Sequence, residues 1–233
     1  NTRVFYNARD VALVQKRGEP PYYNIAIGSG YRGHPLDRTT LERFYSLRDM
    51  NPFAVISQDD YDDRTFGVIQ ESDPNLVEVS NNPAGSTVTT ASKGWKYTFN
   101  RNGRGEKVLA EATTIDGVVL FPTYEPVDPG PANPCAPTSI NRVYALTAFA
   151  GKPAINFQDA AEEDKDLGNE DVFTKLGQQG IVGAINVALL RGGNGGGSPT
   201  APRTVCLAGV EVLSRCIDVG GTVRTYWNRN DVP

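Results

Sequence analysis

Residues 23–37 read YNIAIGSGYRGHPLD, and residues 42–49 follow as ERFYSLRD. The first stretch is an apolar run that ends on Gly28-Ser29-Gly30 and passes into a turn containing Gly33, His34, Pro35 and Asp37. Glycine lets two stretches of backbone approach closely, and proline fixes the direction of exit. The pattern therefore predicts a buried strand, a tight departure from the sheet, and a turn in which Asp37 accepts backbone N–H groups. RFYSL then carries aromatic and aliphatic residues suited to a second strand, and residues 11–15 supply a third ahead of the first.

The same arrangement recurs in the middle of the chain. Residues 107–117 (KVLAEATTIDG) lead to VVLFPTY at 118–124, then to a Pro-rich crossing, then to NRVYALTA at 141–148. Tyr45 and Tyr144 fall at equivalent places in the two units. Further strands are expected at 3–6, 107–110, 117–121, 142–147, 182–190 and 222–227, with short helices at 76–79 and 171–176. Repeated strand units of this kind predict β-propeller blades, each burying its faces against its neighbours. The units lie further apart than one blade of about 40–50 residues. Residues 57–94, polar and rich in Asn, Pro and Ser, are therefore expected to be an insertion. The reading is an all-β chain with short helical insertions, residues 1–233 forming part of one domain.

Composition agrees with many turns and short strands, since 24 of 233 residues are Gly and 16 are Pro. The net charge of −4, with no Lys/Arg run longer than two, argues against a nucleic-acid groove. No apolar stretch reaches the roughly 18 residues of a spanning helix. The chain starts at Asn1 and its one Met is Met50, as expected for a section of a longer product. GGNGGGSPTAP at 192–202 reads as a flexible linker ahead of a terminal unit at 203–233. In that unit Cys206 and Cys216 bracket TVCLAGVEVLSRC, a spacing without the C-x-x-C pairs of a zinc site. It reads as a disulfide hairpin followed by a closing strand, and hence an oxidising compartment, against the alternative of two buried thiols. Cys135 is left over.

Candidate chemistry is sparse. His34 is the one histidine, so any Ser-His or Cys-His site would need it. No G-x-S-x-G elbow occurs, and Ser29 lacks the strand-turn-helix setting of such a nucleophile. The segment Gly28, Gly30, His34, Asp37 reads as architectural, with the His34 ring bonded to backbone. Asp59, Asp60, Asp62 and Asp63 form the densest acidic cluster, but lack the turn glycine and alternating spacing of a calcium loop. Residues 100–106 (NRNGRGE) read as a hairpin turn. GGNGGG lacks the ending that would cradle phosphate. Trp95, Tyr97 and Phe99 alternate on one strand face and read as core rather than as an exposed ladder, as do Tyr226 and Trp227. Ala8-Arg9-Asp10 lacks the Gly of an integrin tripeptide.

RVFYNARDVALV, YNIAIGSGYRGHPLD, ERFYSLRD, GEKVLAEATTIDGVVLFPTY and NRVYALTA, in that order, resemble the C-terminal domain of PilY-type type IV pilus biogenesis factors. The closing T-x-C-L-x-G…C…V-R-T-Y-W pattern does too. The resemblance runs from Val4 to about Trp227, with residues 57–94 and the Gly-rich linker poorly matched. It implies a modified seven-bladed propeller related to quinoprotein propellers, with a variable adhesive region upstream and export to the pilus tip or cell surface. Such a factor promotes pilus assembly, opposes retraction, and supports twitching and adhesion. Its expected partners are the remaining blades, pilus subunits such as minor pilins, and host or abiotic surfaces. The family's calcium loop of alternating aspartates lies upstream of the matched segments, and no calcium ligand, catalytic residue or cofactor is carried over. A quinone-cofactor dehydrogenase is the alternative, because related propellers hold that chemistry. It needs a cation site and aromatic platforms, whereas Trp95 and Trp227 lie in strand and terminal contexts.

Overall fold

The computed structural model describes residues 2–15, 18–51, 55–63, 69–128, 138–157, 167–190 and 203–217. Its strands are β1 (Asp10–Val14), β2 (Tyr22–Gly28), β3 (Arg43–Asp49), β4 (Leu76–Glu78), β5 (Gly94–Thr98), β6 (Thr113–Ile115), β7 (Val118–Val127), β8 (Thr138–Thr147), β9 (Phe173–Leu176), β10 (Ile185–Leu190), β11 (Arg203–Ala208) and β12 (Glu211–Val212). They form three sheets, ordered β1-β2-β3-β5-β4, β6-β7-β8-β9 and β10-β11-β12. Every pairing is antiparallel except β4 with β5. Two cores lie between the sheets. One gathers Ala26, Phe44, Trp95, Tyr97, Phe121, Tyr144 and Leu146 from the first and second sheets. The other gathers Leu120, Val143, Ala145, Ile185, Cys206 and Ala208 from the second and third. The second sheet is thus covered on both faces, as its long apolar strand VVLFPTY requires.

The internal repeat is visible strand for strand. β1-β2-β3 and β6-β7-β8 are matching antiparallel meanders, and Ile27 lies opposite Tyr45 as Phe121 lies opposite Tyr144. Strand alternation sends Phe44 to one face and Tyr45 to the other. Phe44 stacks on Phe121 with centroids 3.7 Å apart, and Phe121 stacks on Tyr144 at 5.0 Å. Trp95, wholly buried, donates its indole N–H to the Ala148 carbonyl at 3.0 Å. Trp95, Tyr97 and Phe99 are core residues.

Between the first two sheets runs the buried segment Glu106, Lys107, Val108, Leu109 and Ala110. Lys107 exchanges backbone hydrogen bonds with Tyr124 at 3.0 and 2.9 Å, and the Val108 N–H donates to Ser29 O at 3.0 Å. The close approach depends on Gly28 and Gly30. A Cβ on Gly28 would lie 2.4 Å from the Val108 side chain, and one on Gly30 would lie 2.5 Å from the Val108 carbonyl oxygen.

The structure revises several expected elements. Residues 76–79 form no helix; Leu76–Glu78 is a strand, because alternate placement lets Leu76 and Val77 cover opposite faces of β5. The expected helix at 171–176 is a one-turn 3-10 segment, Asn169–Val172, followed by β9, where Phe173 takes the position opposite Tyr144. Of residues 3–6 only Phe5 pairs, bridging to Gly30, and of 107–110 only Lys107 does. Residues 57–94 contribute the short helix α1 (Gln58–Asp62), strand β4 and the start of β5. Cys206 and Cys216 are disulfide-bonded, with Cα atoms 5.2 Å apart. Cys135, the 192–202 linker, Tyr226 and Trp227 and the 222–227 strand lie outside the described residues. Among the described residues no helix is long and apolar enough to cross a membrane.

Gly28→Ala should lower stability by about 1–3 kcal/mol through overpacking. Removing methyls at the neighbour, as Val108→Ala, should recover part of that loss in a double-mutant cycle. Gly30→Ala should cost more and resist rescue, because its Cβ meets backbone. Urea unfolding of the three single variants and the two doubles with Val108→Ala checks this; rescue of Gly30→Ala by Val108→Ala would contradict it.

Candidate functional site

The GSGYRGHPLD segment leaves β2 and is held by the second sheet's approach strand. The Lys107 ammonium donates to Pro35 O at 2.9 Å and also to Asp37 O. Burial lowers the pKa of this amine, with Asp37 and Glu42 opposing that effect. The Arg38 guanidinium donates to Pro126 O at 2.6 Å and to Asp128 at 3.0 Å, and Arg104 donates to Thr39 O. Three cations thus hold one turn. Asp37 accepts the Thr39 N–H at 2.9 Å, which holds its carboxyl below the ordinary range. His34 is exposed, its ring tilted against Tyr31 at 5.1 Å. Among the described residues the ring does not take the backbone hydrogen bond expected of it; the backbone groups of His34 close the turn instead, to Tyr31 and Asp37. Gly28 and Gly30 lie at the root of this turn and His34 at its tip, where among the described residues no nucleophile converges on it.

The sequence reading missed a second constellation, which is buried. Arg142, only 1% exposed, lies 2.6 Å from Glu125 and 3.3 Å from Glu106. Glu106 Oε1 also accepts from Thr123 at 2.7 Å and from the Tyr144 hydroxyl at 2.8 Å. Burial raises the pKa of Glu106, with Arg142 opposing, and raises that of Tyr144 well above the usual phenol range. The first sheet repeats this arrangement. Tyr45 donates to Glu71 at 2.9 Å, and Glu71 also pairs with Arg43 and, at 2.6 Å, with Arg3. Arg43-Phe44-Tyr45 and Arg142-Val143-Tyr144 are one R-x-Y motif used twice. The recurring triplet was the available signal, but the glutamates lie at unrelated sequence distances and could not be paired with it.

Among the described residues the acidic cluster does not gather three or more side chains placed to hold a metal ion. Asp59, Asp60 and Asp62 belong to α1, where successive residues point about 100° apart. Ser57 caps it, Asp60 bonds Ser57 at 2.7 Å, and Asp62 accepts from Gln58 at 3.0 Å.

No family model matches the chain, and no curated protein matches it. Among solved structures, it is similar to the C-terminal domain of PilY1 from Pseudomonas aeruginosa, at a TM-score of 0.55 and 14% identity. That likeness covers 91% of this chain and 44% of the PilY1 domain, so the chain spans less than half the length of the structure it matches.

Two predictions follow the geometry. His34→Ala should change stability by no more than about 0.5 kcal/mol, as expected of an exposed side chain. Lys107→Met, which strips the buried donor from two carbonyls, should cost about 1–3 kcal/mol. Equal losses in urea unfolding would mean that the His34 ring is held. The second concerns Glu106. Its folded pKa lies above its unfolded value of about 4.3, so ionisation opposes folding. That penalty is absent below the unfolded value and complete above the folded one. Glu106→Gln should therefore gain stability relative to the native chain as the pH rises above the unfolded value of about 4.3; a pH-independent difference would refute it.

Proposed function

We propose that this chain is the C-terminal part of a PilY-like propeller, a non-catalytic, exported component that supports type IV pilus biogenesis. In this reading the front face of its first sheet packs on a further sheet of the same protein. The observation that carries it is the repeat. In the second sheet, Val119, Phe121, Tyr144 and Leu146 face the first sheet and are at most 1% exposed. Their equivalents in the first sheet are Ile25, Ile27, Tyr45 and Leu47, paired in the same register. These face away from the second sheet; Ile25, Ile27 and Leu47 are only partly covered, Tyr45 is 8% exposed, and beside them Val11 and Leu13 are 52% and 60% exposed. Ile27, Tyr45 and Leu47 line an open groove of about 460 Å³ with Phe5 and Leu76. The motif salt bridge follows the same rule, 1% and 5% exposed for Arg142–Glu106 but 20% and 40% for Arg43–Glu71. A face built like a buried one and left open is a docking face. The fold shared with the PilY1 domain supports a pilus setting, and the disulfide supports an oxidising compartment.

Deleting the gene in its piliated host should abolish most surface pilin in sheared fractions and most twitching. The full-length gene should restore both. Leu47→Asp, placed on the open face, should reduce restoration and make the full-length protein protease-sensitive. Normal piliation in the deletion strain would sink the pilus role. An unchanged Leu47→Asp protein would sink the docking face alone. A quinone absorption band after reconstitution with quinone and calcium would overturn the non-catalytic reading.

A further inference from the structure

The seam between the first and second sheets opens at one end into a cavity of about 290 Å³. That lies near the lower bound of small-molecule sites, about 300–1,000 Å³. Its floor is Glu106. Thr123, Tyr144 and Arg142 all converge on Oε1 of that carboxylate, and Oε2 accepts no hydrogen bond among the described residues. Glu106 is only 5% exposed, and what exposure it has faces this cavity. At the mouth stands Arg101, exposed, its guanidinium 4.5 Å over the Phe173 ring and its charge acting to lower the pKa of the Tyr97 hydroxyl against the larger effect of burial. It pairs with no carboxylate among the described residues. The side chains of Ser80, Asn81 and Asn100 line the wall and make no hydrogen bond among the described residues, and the rings of Tyr97 and Phe99 supply its apolar part. Asn169 latches the facing loop in place, accepting from the Ala84 N–H at 2.9 Å and donating to Asn82 at 3.0 Å.

We infer that this cavity binds an acidic monosaccharide, its carboxylate on Arg101 and a ring hydroxyl donating to Glu106 Oε2. The match is one of hydrogen-bonding type. A sugar hydroxyl both donates and accepts, and so do the amides of Asn81 and Asn100 and the hydroxyl of Ser80. The C–H face of the ring needs an apolar wall, which Tyr97 and Phe99 provide. In its ionised form the floor carboxylate accepts only, so it selects a hydroxyl donor, and the guanidinium donates only, so it selects an anion. A simple carboxylic acid would use Arg101 and leave the floor and amides unmatched. A neutral sugar would leave the cation unmatched. The pocket is built entirely by the two stacked sheets and their loops, and it is independent of any role at a pilus.

The test is a calorimetric titration of the intact protein with D-galacturonate, beside D-galactose, acetate and L-glutamate. Galacturonate should bind about tenfold or more tightly than each of the other three, the margin one charge-assisted hydrogen bond provides. Arg101→Ala should bring galacturonate down to the level of galactose while leaving the melting temperature in place. The Asn81→Ala/Asn100→Ala pair should weaken both sugars and leave acetate unchanged. Absence of saturable galacturonate binding, equal binding by Arg101→Ala, or glutamate binding as tightly as galacturonate would each overturn the assignment.

Discussion

The architecture depends on how closely residues 106–110 can approach Gly28 and Gly30. This segment is where the two halves of the repeat meet. Its backbone is bonded to Ser29 on one side and to Tyr124 on the other, and its side chains alternate between tasks. Glu106 turns to the cluster around Arg142, Lys107 turns to the 35–37 turn, and Val108 sits against the space that the glycines leave. A side chain at either glycine would push the segment out and uncouple the charge cluster and the GHPLD turn together. The glycines are thus needed for approach rather than for an unusual backbone angle. By contrast, Gly94, at φ +130°, needs both: a Cβ there would lie 2.1 Å from the Ser46 carbonyl oxygen.

Placing a guanidinium and two carboxylates between sheets has a penalty that apolar packing would avoid. A buried ion pair often contributes little net stability, but removing one partner leaves an uncompensated charge that is strongly destabilising. Here each charged side chain has a partner, although Arg142 Nε has none among the described residues. Arg142 has Glu106 and Glu125, Glu125 also accepts from Asn102 at 2.9 Å, and Tyr144 fixes Glu106 from the other side. Such a cluster tolerates one register of β7 against β8 and one depth of the 106–110 segment, because a slip by one residue would turn each charge to the opposite face. Its recurrence as Arg43, Tyr45 and Glu71 suits that purpose, a register mark built into each unit of the stack.

Much of this was legible because it is periodic or conformational. The glycine-bounded strand at 23–28, the aromatic strand at 43–49, the equivalence of Tyr45 and Tyr144, and the alternating Trp95, Tyr97 and Phe99 all follow from period-two patterning and turn chemistry. The edge strands β4 and β9 were not legible, because three or four residues carry too little periodicity, and the Ser-Asp-Pro and Asn-Glu-Asp starts ahead of them imitate helix caps. The His34 ring looked constrained because its neighbours are. In the structure the constraint passes through Lys107, seventy residues away, to the carbonyls of Pro35 and Asp37. The partners of Arg142, on β7 and in the 106–110 segment, and the cavity at Arg101, which draws on both sheets, were hidden for the same reason: each joins residues distant in sequence.

The position of the cavity relates function to assembly. Tyr97, Phe99 and Arg101 come from the first sheet and the strand end that leaves it, while Tyr144, Asn169 and Val172 come from the second and its 3-10 turn. A ligand held there binds only the stacked state, so it stabilises the seam by mass action in proportion to its occupancy. The open face of the first sheet carries the same motif, a tyrosine donating to a glutamate that an arginine also holds. A second seam there would bury that glutamate as the first buries Glu106. The two seams differ in what lies beside the motif. At the first, an aromatic strand ends in Asn100 and Arg101, leaving a polar mouth above a buried acid. At the open face the corresponding groove has a larger apolar share, lined by Phe5, Ile27, Leu47, Ile69 and Leu76, with the charged pair Arg3 and Glu71 at its side. One repeated framework therefore supplies two unlike surfaces, one shaped for a small polar ligand and the other for another sheet.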